Sequence, residues 1–236
     1  MKVATSSSAF SCAFDDGDLT QLEFLEAAAR EMGADGVVLD DRHFPRIDDD
    51  YLAQVKKTAA DLGLTIAALA SDAFFSAQPD AMRALLERAA TVGAPLVSGR
   101  LARETELSWS EALTRLGVAS AFAKSINVTL ALRNAPGTFA ATSHDCKRVT
   151  KETDSAWLRY GLDTGAFDAA SETAALAAKT VLLWWDAQRP ADLRGWETFR
   201  GFVALDRAAG DAARPEMRDA ILGWKIARHT VELDRT

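Results

Sequence analysis

Arg133 is an unusual residue for its place in the sequence. It follows residues 130–132, an apolar Leu-Ala-Leu run that is typical of a buried strand, and Asn134 comes directly after it. The segment then ends at residues 136–137, a Pro-Gly pair that predicts a turn. A guanidinium group carries five N–H donors and stays protonated at physiological pH. At the mouth of a site it would bind a carboxylate or a phosphate.

Other polar side chains with useful chemistry recur at the ends of apolar segments. A histidine stands in the stretch DDRHFPRID, and an aspartate ends the apolar part of GLDTG. We expect Asp163 and His43 to supply acid/base chemistry and Arg133 to hold an anionic group. The residues that we expect to bind the ligand are Asn134, Arg100, Asp40, Asp41, Trp184, Asp186 and Asp206. The alternative is structural, because an aspartate after a strand often forms a turn, and His43 is equally consistent with a turn position.

Strand and helix patterns alternate along the chain and would position these groups. Continuous apolar runs, typical of parallel strands buried on both faces, predict strands near 2–9, 36–40, 65–70, 94–98, 128–133, 158–163, 180–186 and 201–206. Helical patterns lie between them, short ones in the last two units, and a final helix begins near Pro215. This α/β pattern predicts a (β/α)8 TIM barrel in one domain over residues 1–236, with a doubly wound sheet as the alternative.

Local signals mark the ends of several helices. Three glycines, each thirty residues from the next, follow helical patterns and fit left-handed C-caps: Gly33, Gly63 and Gly93. Thr20 with Glu23, and Ser108 with Glu111, have the spacing of capping boxes. In a parallel barrel the carboxyl ends of the strands meet at one mouth, so the polar residues above would converge there.

Composition limits the classes of partner. The 236 residues carry a net charge of −7 without a cluster of Lys and Arg, which argues against nucleic-acid binding. The first residues, MKVATSSSAFSCAF, lack an apolar signal region, and no run approaches the ~18 apolar residues that a membrane span needs. We expect a cytoplasmic protein without a membrane partner. Cys12 and Cys146 are expected to be buried thiols, with one disulfide as the alternative, and the oligomeric state stays open.

Four stretches resemble the xylose isomerase-like barrels of the sugar phosphate isomerase/epimerase superfamily. They are LTQLEFLEAAAREMGADGVVLDDRHFP, DYLAQVKKTAADLGLTIAALAS, VTLALRNAPGT and DSAWLRYGLDTGAF, within residues 15–170. The resemblance implies an isomerase or epimerase that acts on a small sugar-like substrate. It also implies a divalent-metal site, built in active members from Glu, Asp, His and Glu on strands five to eight, in which the two glutamates move protons beside a carbonyl.

That metal site is incomplete in this sequence. Arg133 stands where the resemblance implies the first glutamate, and Asp163 is the one ligand retained. The seventh strand offers Leu183 or Trp184 in place of the histidine, and the eighth has no glutamate, although Asp206 is near. We expect no metal cofactor, and Mn²⁺ or Mg²⁺ is disfavoured, because a cation within ~4 Å of a guanidinium is repelled by a few kcal/mol. Arg133 would instead pair with Asp163 or bind an anionic group of a ligand.

Three functions follow from these observations. The first is an isomerase- or epimerase-like enzyme with little or no metal, acting on a small sugar-like or anionic molecule. The second is a non-catalytic descendant, a pseudoenzyme that binds such a ligand or a partner protein. The third, a nuclease of the endonuclease IV branch, is weak because that branch needs a histidine-rich zinc site and this chain has three histidines. A mouth filled by Trp184 or Phe167 would favour the non-catalytic function.

Overall fold

The computed structural model describes residues 1–167, 173–207 and 212–233 and has the predicted (β/α)8 topology. Eight parallel strands follow one another in sequence order around a closed barrel, so the doubly wound alternative is wrong. The strands are β1 (Lys2–Ser6), β2 (Gly36–Asp40), β3 (Thr65–Ala70), β4 (Leu96–Arg100), β5 (Thr129–Arg133), β6 (Leu158–Asp163), β7 (Thr180–Asp186) and β8 (Phe202–Asp206).

Helices alternate with most of these strands. Those in the described part of the chain are α1 (Ser11–Asp15), α2 (Gln21–Arg30), α3 (Asp49–Asp61), α4 (Pro79–Val92), α5 (Trp109–Ser125), α6 (Ser143–Thr153) and α7 (Arg214–Leu233). The prediction of a short helix between β7 and β8 is wrong, because residues 187–201 form turns and irregular segments. Pro190 removes a helical N–H donor, and Gly195 adopts φ 81°, so neither residue continues a helix there. The helix predicted before β7 falls partly on residues 168–172, outside the described residues.

The helix signals of the sequence are confirmed. Gly33, Gly63 and Gly93 have φ values of 70°, 72° and 86°, the left-handed conformation expected after a helix. Both predicted capping boxes, at Thr20 and at Ser108, are present with side-chain and backbone hydrogen bonds. A third box joins Thr142 to Asp145 at the start of α6. This box was not predicted, because an aspartate takes the place of the usual glutamate.

The chain divides into two compact units. The first unit comprises residues 1–67 and 184–236, and the second comprises residues 68–183. In the first, β1 pairs with β2 and with β8, and Phe24, Leu25 and Trp224 are among its buried side chains. In the second, β5 pairs with both β4 and β6, and large buried side chains include Leu86 and Tyr160. The single-domain organisation stays a prediction.

Gly99 allows close packing at the end of β4, in the second unit. A Cβ added to Gly99, in β4, would lie 2.5 Å from the carbonyl oxygen of Ser71, so any side chain there would push the backbone apart. The loop after β3 therefore packs directly on the end of β4.

The two cysteines differ in their exposure. Cys12 and Cys146 form no disulfide: Cys146 is buried as expected, whereas the prediction that Cys12 is buried is wrong. Cys12 lies in α1, a five-residue helix without a buried side chain. Among the described residues, none of the helices combines the length and the apolar character needed to traverse a lipid bilayer.

Candidate functional site

The predicted site residues fall into two groups, one in each compact unit. Arg133, Asp163, Asn134 and Arg100 lie in the second unit, at the carboxyl ends of β4, β5 and β6. The first unit holds the other six, which are His43, Asp40, Asp41, Trp184, Asp186 and Asp206.

Arg133 and Asp163 form the ion pair expected from their places on neighbouring strands. Arg133 Nη2 donates to Asp163 Oδ2 over 2.8 Å, and Arg133 Nε donates to the same oxygen over 3.3 Å. The other carboxylate oxygen, Oδ1, accepts from the Gly165 backbone N–H over 3.0 Å. The two side chains are only 12% and 24% exposed. Both oxygens of Asp163 are therefore occupied by donors in a largely water-excluded setting.

Asn134 holds the backbone of the same aspartate. Its Nδ2 donates to the carbonyl oxygen of Asp163 over 3.0 Å, and its Oδ1 accepts from the Asp163 backbone N–H over 2.7 Å. The side chain is fully buried. Asn134, predicted to bind a ligand, thus uses both ends of its amide to join the end of β5 to the end of β6.

A cavity of about 360 Å³ opens beside these groups in the second unit. Its charged and amide-bearing lining residues are Asp72, Arg100, Arg103, Glu106, Asn134 and Asp163. Arg100 Nε lies 3.5 Å from Asp72 Oδ1, within ion-pair distance. Glu106 accepts a hydrogen bond from the Arg103 backbone N–H over 3.1 Å. Two arginines and three carboxylates line this cavity, and Arg133 pairs with one of these carboxylates, that of Asp163. The positive and negative charges at the cavity are therefore balanced.

His43 lies in a buried network of the first unit, and so it is more than a turn residue. Its ring stacks on Phe14 with centroids 4.1 Å apart and planes inclined by 4°. Nδ1 lies 2.9 Å from Ser7 Oγ, and Nε2 lies 3.4 Å from Ser11 Oγ. Ser7 Oγ also accepts from the Asp40 backbone N–H over 2.8 Å. The imidazole is held between a ring and two hydroxyl groups.

The aspartates of the first unit are engaged locally. Asp40 is buried and accepts hydrogen bonds from Nε and Nη2 of Arg42, at 3.1 and 2.9 Å, and Asp41 begins the short turn after β2. Asp206 Oδ1 accepts from Ser8 Oγ over 3.0 Å. Asp186 Oδ1 accepts from the Gln188 backbone N–H over 3.0 Å, as an aspartate does in a turn.

The two adjacent tryptophans of β7 differ in their surroundings. Trp185 contacts Trp224 of α7 edge to face, with ring centroids 5.0 Å apart, and its Nε1 donates to the carbonyl oxygen of Arg189. Trp185 is therefore packed under an outer helix. Trp184 is 1% exposed, so it presents almost no surface that a ligand could reach.

Sequence reasoning missed the charged lining residues between β4 and α5, Arg103 and Glu106. Both lie in the irregular segment between β4 and α5, where no apolar period reveals which way a side chain points. The only available signal was their closeness in sequence to Arg100, at the preceding strand end.

The residues present do not fit the divalent metal that the resemblance implies. Asp163, which the resemblance implies as a ligand, has both oxygens engaged, and the guanidinium of Arg133 stands where the resemblance implies an anionic ligand. The sequences of β7 and β8 contain neither histidine nor glutamate. Within residues 1–167, 173–207 and 212–233, no three His, Cys, Asp or Glu side chains are grouped so that they could hold a metal ion.

Comparison with known proteins identifies the family. Among solved structures, the chain is similar to a D-psicose 3-epimerase with D-tagatose from Clostridium cellulolyticum H10, with a TM-score of 0.76 and 14% identity over 98% of this chain and 99% of that one. A 3-keto-D-glucoside 4-epimerase from E. coli gives a TM-score of 0.70 and 16% identity over 96% and 99%. A probable 3-DHS dehydratase from Bacillus anthracis gives 0.75 and 13% over 94% and 98%.

At these identities the structural likenesses show the fold alone. None of the curated protein sequences matches the chain significantly. The model of the xylose isomerase-like TIM barrel family matches residues 26–191, which is more than half of the chain. This protein therefore belongs to the family of xylose isomerase-like TIM barrels.

Proposed function

We propose that this protein binds a small neutral sugar at the cavity of the second unit, without metal-dependent isomerase chemistry. The observation that carries the proposal is the Arg133–Asp163 pair, which places a permanent cation against the one family ligand that is retained. The proposal selects the non-catalytic function from those that the sequence left open.

The charges around the cavity favour a neutral ligand over an anion. Each lining carboxylate faces a donor: Asp163 faces Arg133, Asp72 faces Arg100, and Glu106 accepts from the Arg103 backbone. Little positive charge is left uncompensated to attract a phosphate. A sugar supplies hydroxyl groups that both donate and accept, which suits a lining of mixed guanidinium and carboxylate groups. The similar epimerases act on or hold neutral sugars by their names, which agrees with this choice.

Metal-free binding follows from the same pair. A metal ion that took Oδ2 of Asp163 as a ligand would displace Arg133 and leave a poorly solvated guanidinium without its counter-charge. The fixed cation takes the electrostatic place of the ion. Binding without a metal cofactor is thus part of the proposal, and neither Mn²⁺ nor Mg²⁺ is expected to improve binding.

Binding without turnover follows from the state of the carboxylates. Epimerisation beside a carbonyl needs a base within hydrogen-bond reach of the proton that it removes. Asp163 is salt-bridged and also accepts from Gly165, so both of its oxygens are already engaged by donors of the protein. We expect the cavity to hold a sugar without changing it.

The test is a calorimetric titration with D-tagatose and with fructose 6-phosphate, each in the presence of EDTA and of Mn²⁺. We expect saturable binding of D-tagatose, equal in both media, with no epimer detected by chromatography after long incubation. Binding should weaken at least tenfold in Arg100→Met, which removes a lining donor. The matched control is Lys147→Met, which removes an exposed positive charge on α6 and should leave the affinity unchanged.

Three results would contradict the proposal. Preferential binding of fructose 6-phosphate would show that the cavity selects an anionic sugar and not a neutral one. Binding or epimer formation that appears only with Mn²⁺ would show a metal centre despite Arg133. If neither compound binds, the cavity is not a sugar-binding site.

A further inference from the structure

Asp72 differs from the other carboxylates that line the cavity of the second unit. Asp163 has both oxygens engaged, and Glu106 accepts a hydrogen bond from the Arg103 backbone N–H. Within the described part of the chain, neither oxygen of Asp72 accepts a hydrogen bond, and its side chain is 65% exposed. An exposed carboxylate in the wall of a cavity is free to accept hydrogen bonds from a bound molecule.

Arg100 faces Asp72 across a distance too long for a good hydrogen bond. Arg100 Nε and Asp72 Oδ1 are 3.5 Å apart, and Nε makes no hydrogen bond to any described residue. Nε is buried, whereas the Arg100 side chain as a whole is 40% exposed, so the Nη end of the guanidinium is the part that a ligand reaches. An exposed ion pair of this kind holds its partners loosely, so both groups are available to a ligand.

The backbone fixes the spacing of these two residues. The Ser71 N–H donates to the carbonyl oxygen of Ser98 over 2.9 Å, which joins the end of β3 to β4. A Cβ at Gly99 would lie 2.5 Å from the carbonyl oxygen of Ser71, so only glycine allows this approach. Asp72 directly follows the first of these contact residues and Arg100 directly follows the last. Because their backbones are already in contact, little ordering is needed when a ligand binds between them.

We infer that Asp72 and Arg100 together recognise two adjacent hydroxyl groups of the sugar, an inference that rests on the function proposed above. One hydroxyl group donates to a carboxylate oxygen of Asp72, and its neighbour accepts from an Nη N–H of Arg100. Both hydrogen bonds involve an ionised group of the protein and so belong to the stronger class. The loop after β3 and the end of β4 thus select the ligand, whereas Asp163 is engaged within the protein.

The charges of the pair favour a vicinal diol over an ionic group. A phosphate or carboxylate attracted by Arg100 would also be repelled by Asp72, and an ammonium group would meet the reverse situation. A single hydroxyl group satisfies one member of the pair and leaves the other without a ligand contact. Two adjacent hydroxyl groups supply a donor and an acceptor side by side, which matches the acceptor and the donor of the protein.

The experiment removes hydroxyl groups from the ligand one at a time. D-tagatose and derivatives that each lack one of its hydroxyl groups are titrated into the wild-type protein, and the affinities are measured by calorimetry. We expect two adjacent positions at which the loss of the hydroxyl group weakens binding by about tenfold or more, because a hydrogen bond to an ionised group is lost at each.

Two variants then assign each hydroxyl group to its partner. Asp72→Ala should bind D-tagatose about tenfold more weakly than wild type, yet should bind one of the derivatives as tightly as it binds D-tagatose, since the missing hydroxyl group no longer has a partner. Arg100→Met should show the same behaviour for the derivative that lacks the adjacent hydroxyl group. The control is Glu87→Ala, which removes an exposed carboxylate on α4 of the same unit and should keep every wild-type affinity.

Two results would overturn the inference and leave the proposed function in place. In the first, D-tagatose binds to the wild type, but no two adjacent hydroxyl groups contribute to its affinity, a result that needs neither variant to fold. In the second, each derivative loses as much affinity in the variants as in the wild type, so the pair does not contact the hydroxyl groups. Failure of D-tagatose to bind the wild type would overturn the proposed function and this inference together.

Discussion

Arg100 and Arg133 are register partners at the carboxyl ends of β4 and β5. Each reaches an aspartate: Arg100 Nε lies 3.5 Å from Asp72 Oδ1, and Arg133 Nη2 lies 2.8 Å from Asp163 Oδ2. Like charges opposite each other on neighbouring strands destabilise a sheet unless they are compensated. The two aspartates supply that compensation, so the four side chains act together in setting the charge of the strand ends.

The Arg133–Asp163 pair is expected to show strong coupling in a double-mutant cycle. Arg133→Met and Asp163→Asn should each lower the free energy of unfolding by about 1–3 kcal/mol, because each leaves its partner without a compensating group. The double variant should lose at least about 1 kcal/mol less than the sum of the two. Urea unfolding of the four proteins measures the coupling. Additive effects would show that the pair contributes little.

Metal analysis tests the consequence of the same pair for the metal centre that the resemblance implies. The protein is incubated with Mn²⁺, Co²⁺, Zn²⁺ and Mg²⁺, desalted, and analysed by mass spectrometry beside Asp163→Ala. We expect far less than one metal ion per chain in both samples, because Arg133 occupies the retained carboxylate. Near-stoichiometric metal in the wild type that is lost in the variant would contradict this expectation.

Asn134→Ala should be among the more destabilising substitutions in the second unit. It would leave the backbone N–H and C=O of Asp163 without their present partners, at a cost of about 2–4 kcal/mol. Chemical unfolding measures the loss. The control is Gln78→Ala, which removes an exposed amide that makes no capping hydrogen bond. A loss similar to that of the control would show that the backbone of Asp163 finds other partners.

Asp35 should make the stability of the first unit depend on pH. Burial raises the pKa of its carboxyl group, but the Val3 N–H, at 2.9 Å, and the Lys225 ammonium group outweigh burial and hold the pKa below its ordinary value of 3.8. Because the folded pKa is lower than the unfolded one, the stabilisation is complete above the unfolded pKa and is lost as the pH falls through the folded pKa.

Asp35→Asn should therefore cost about 1 kcal/mol at neutral pH and progressively less in acid. Urea unfolding of wild type and variant over a series of pH values measures the difference. A difference that is independent of pH would mean that the loss comes from packing and does not involve the charge of Asp35.

The barrel could be predicted from the sequence because the local patterns of strands and helices agreed with the known rules for parallel barrels. The predicted ranges for β2, β3, β6 and β7 match the observed strands residue for residue, since each is an apolar run bounded by turn or helix signals. The partnership of Arg133 and Asp163 also followed from the sequence. Both residues end successive strands, and successive strands are neighbours in such a barrel.

Other features depend on tertiary packing that no local pattern reports. The amide of Gln21 is buried although it begins a helix, and Cys12 is exposed although its sequence neighbours are apolar or small. Asn134 was predicted to bind a ligand but forms hydrogen bonds with the backbone of a residue 29 positions away, which requires the register of β5 and β6. In each case burial is set by contacts with segments distant in the chain.

The guanidinium of Arg133 differs from a metal ion in how a cell would supply it. A bound ion exchanges with its surroundings, so the state of a metal site follows nutrient limitation, chelators and competition from other cations. Arg133 is part of the polypeptide and is charged at every physiological pH. Under the function proposed here, each newly folded molecule has its central cation in place, in a fixed ratio of one to one, and needs no delivery system or loading step.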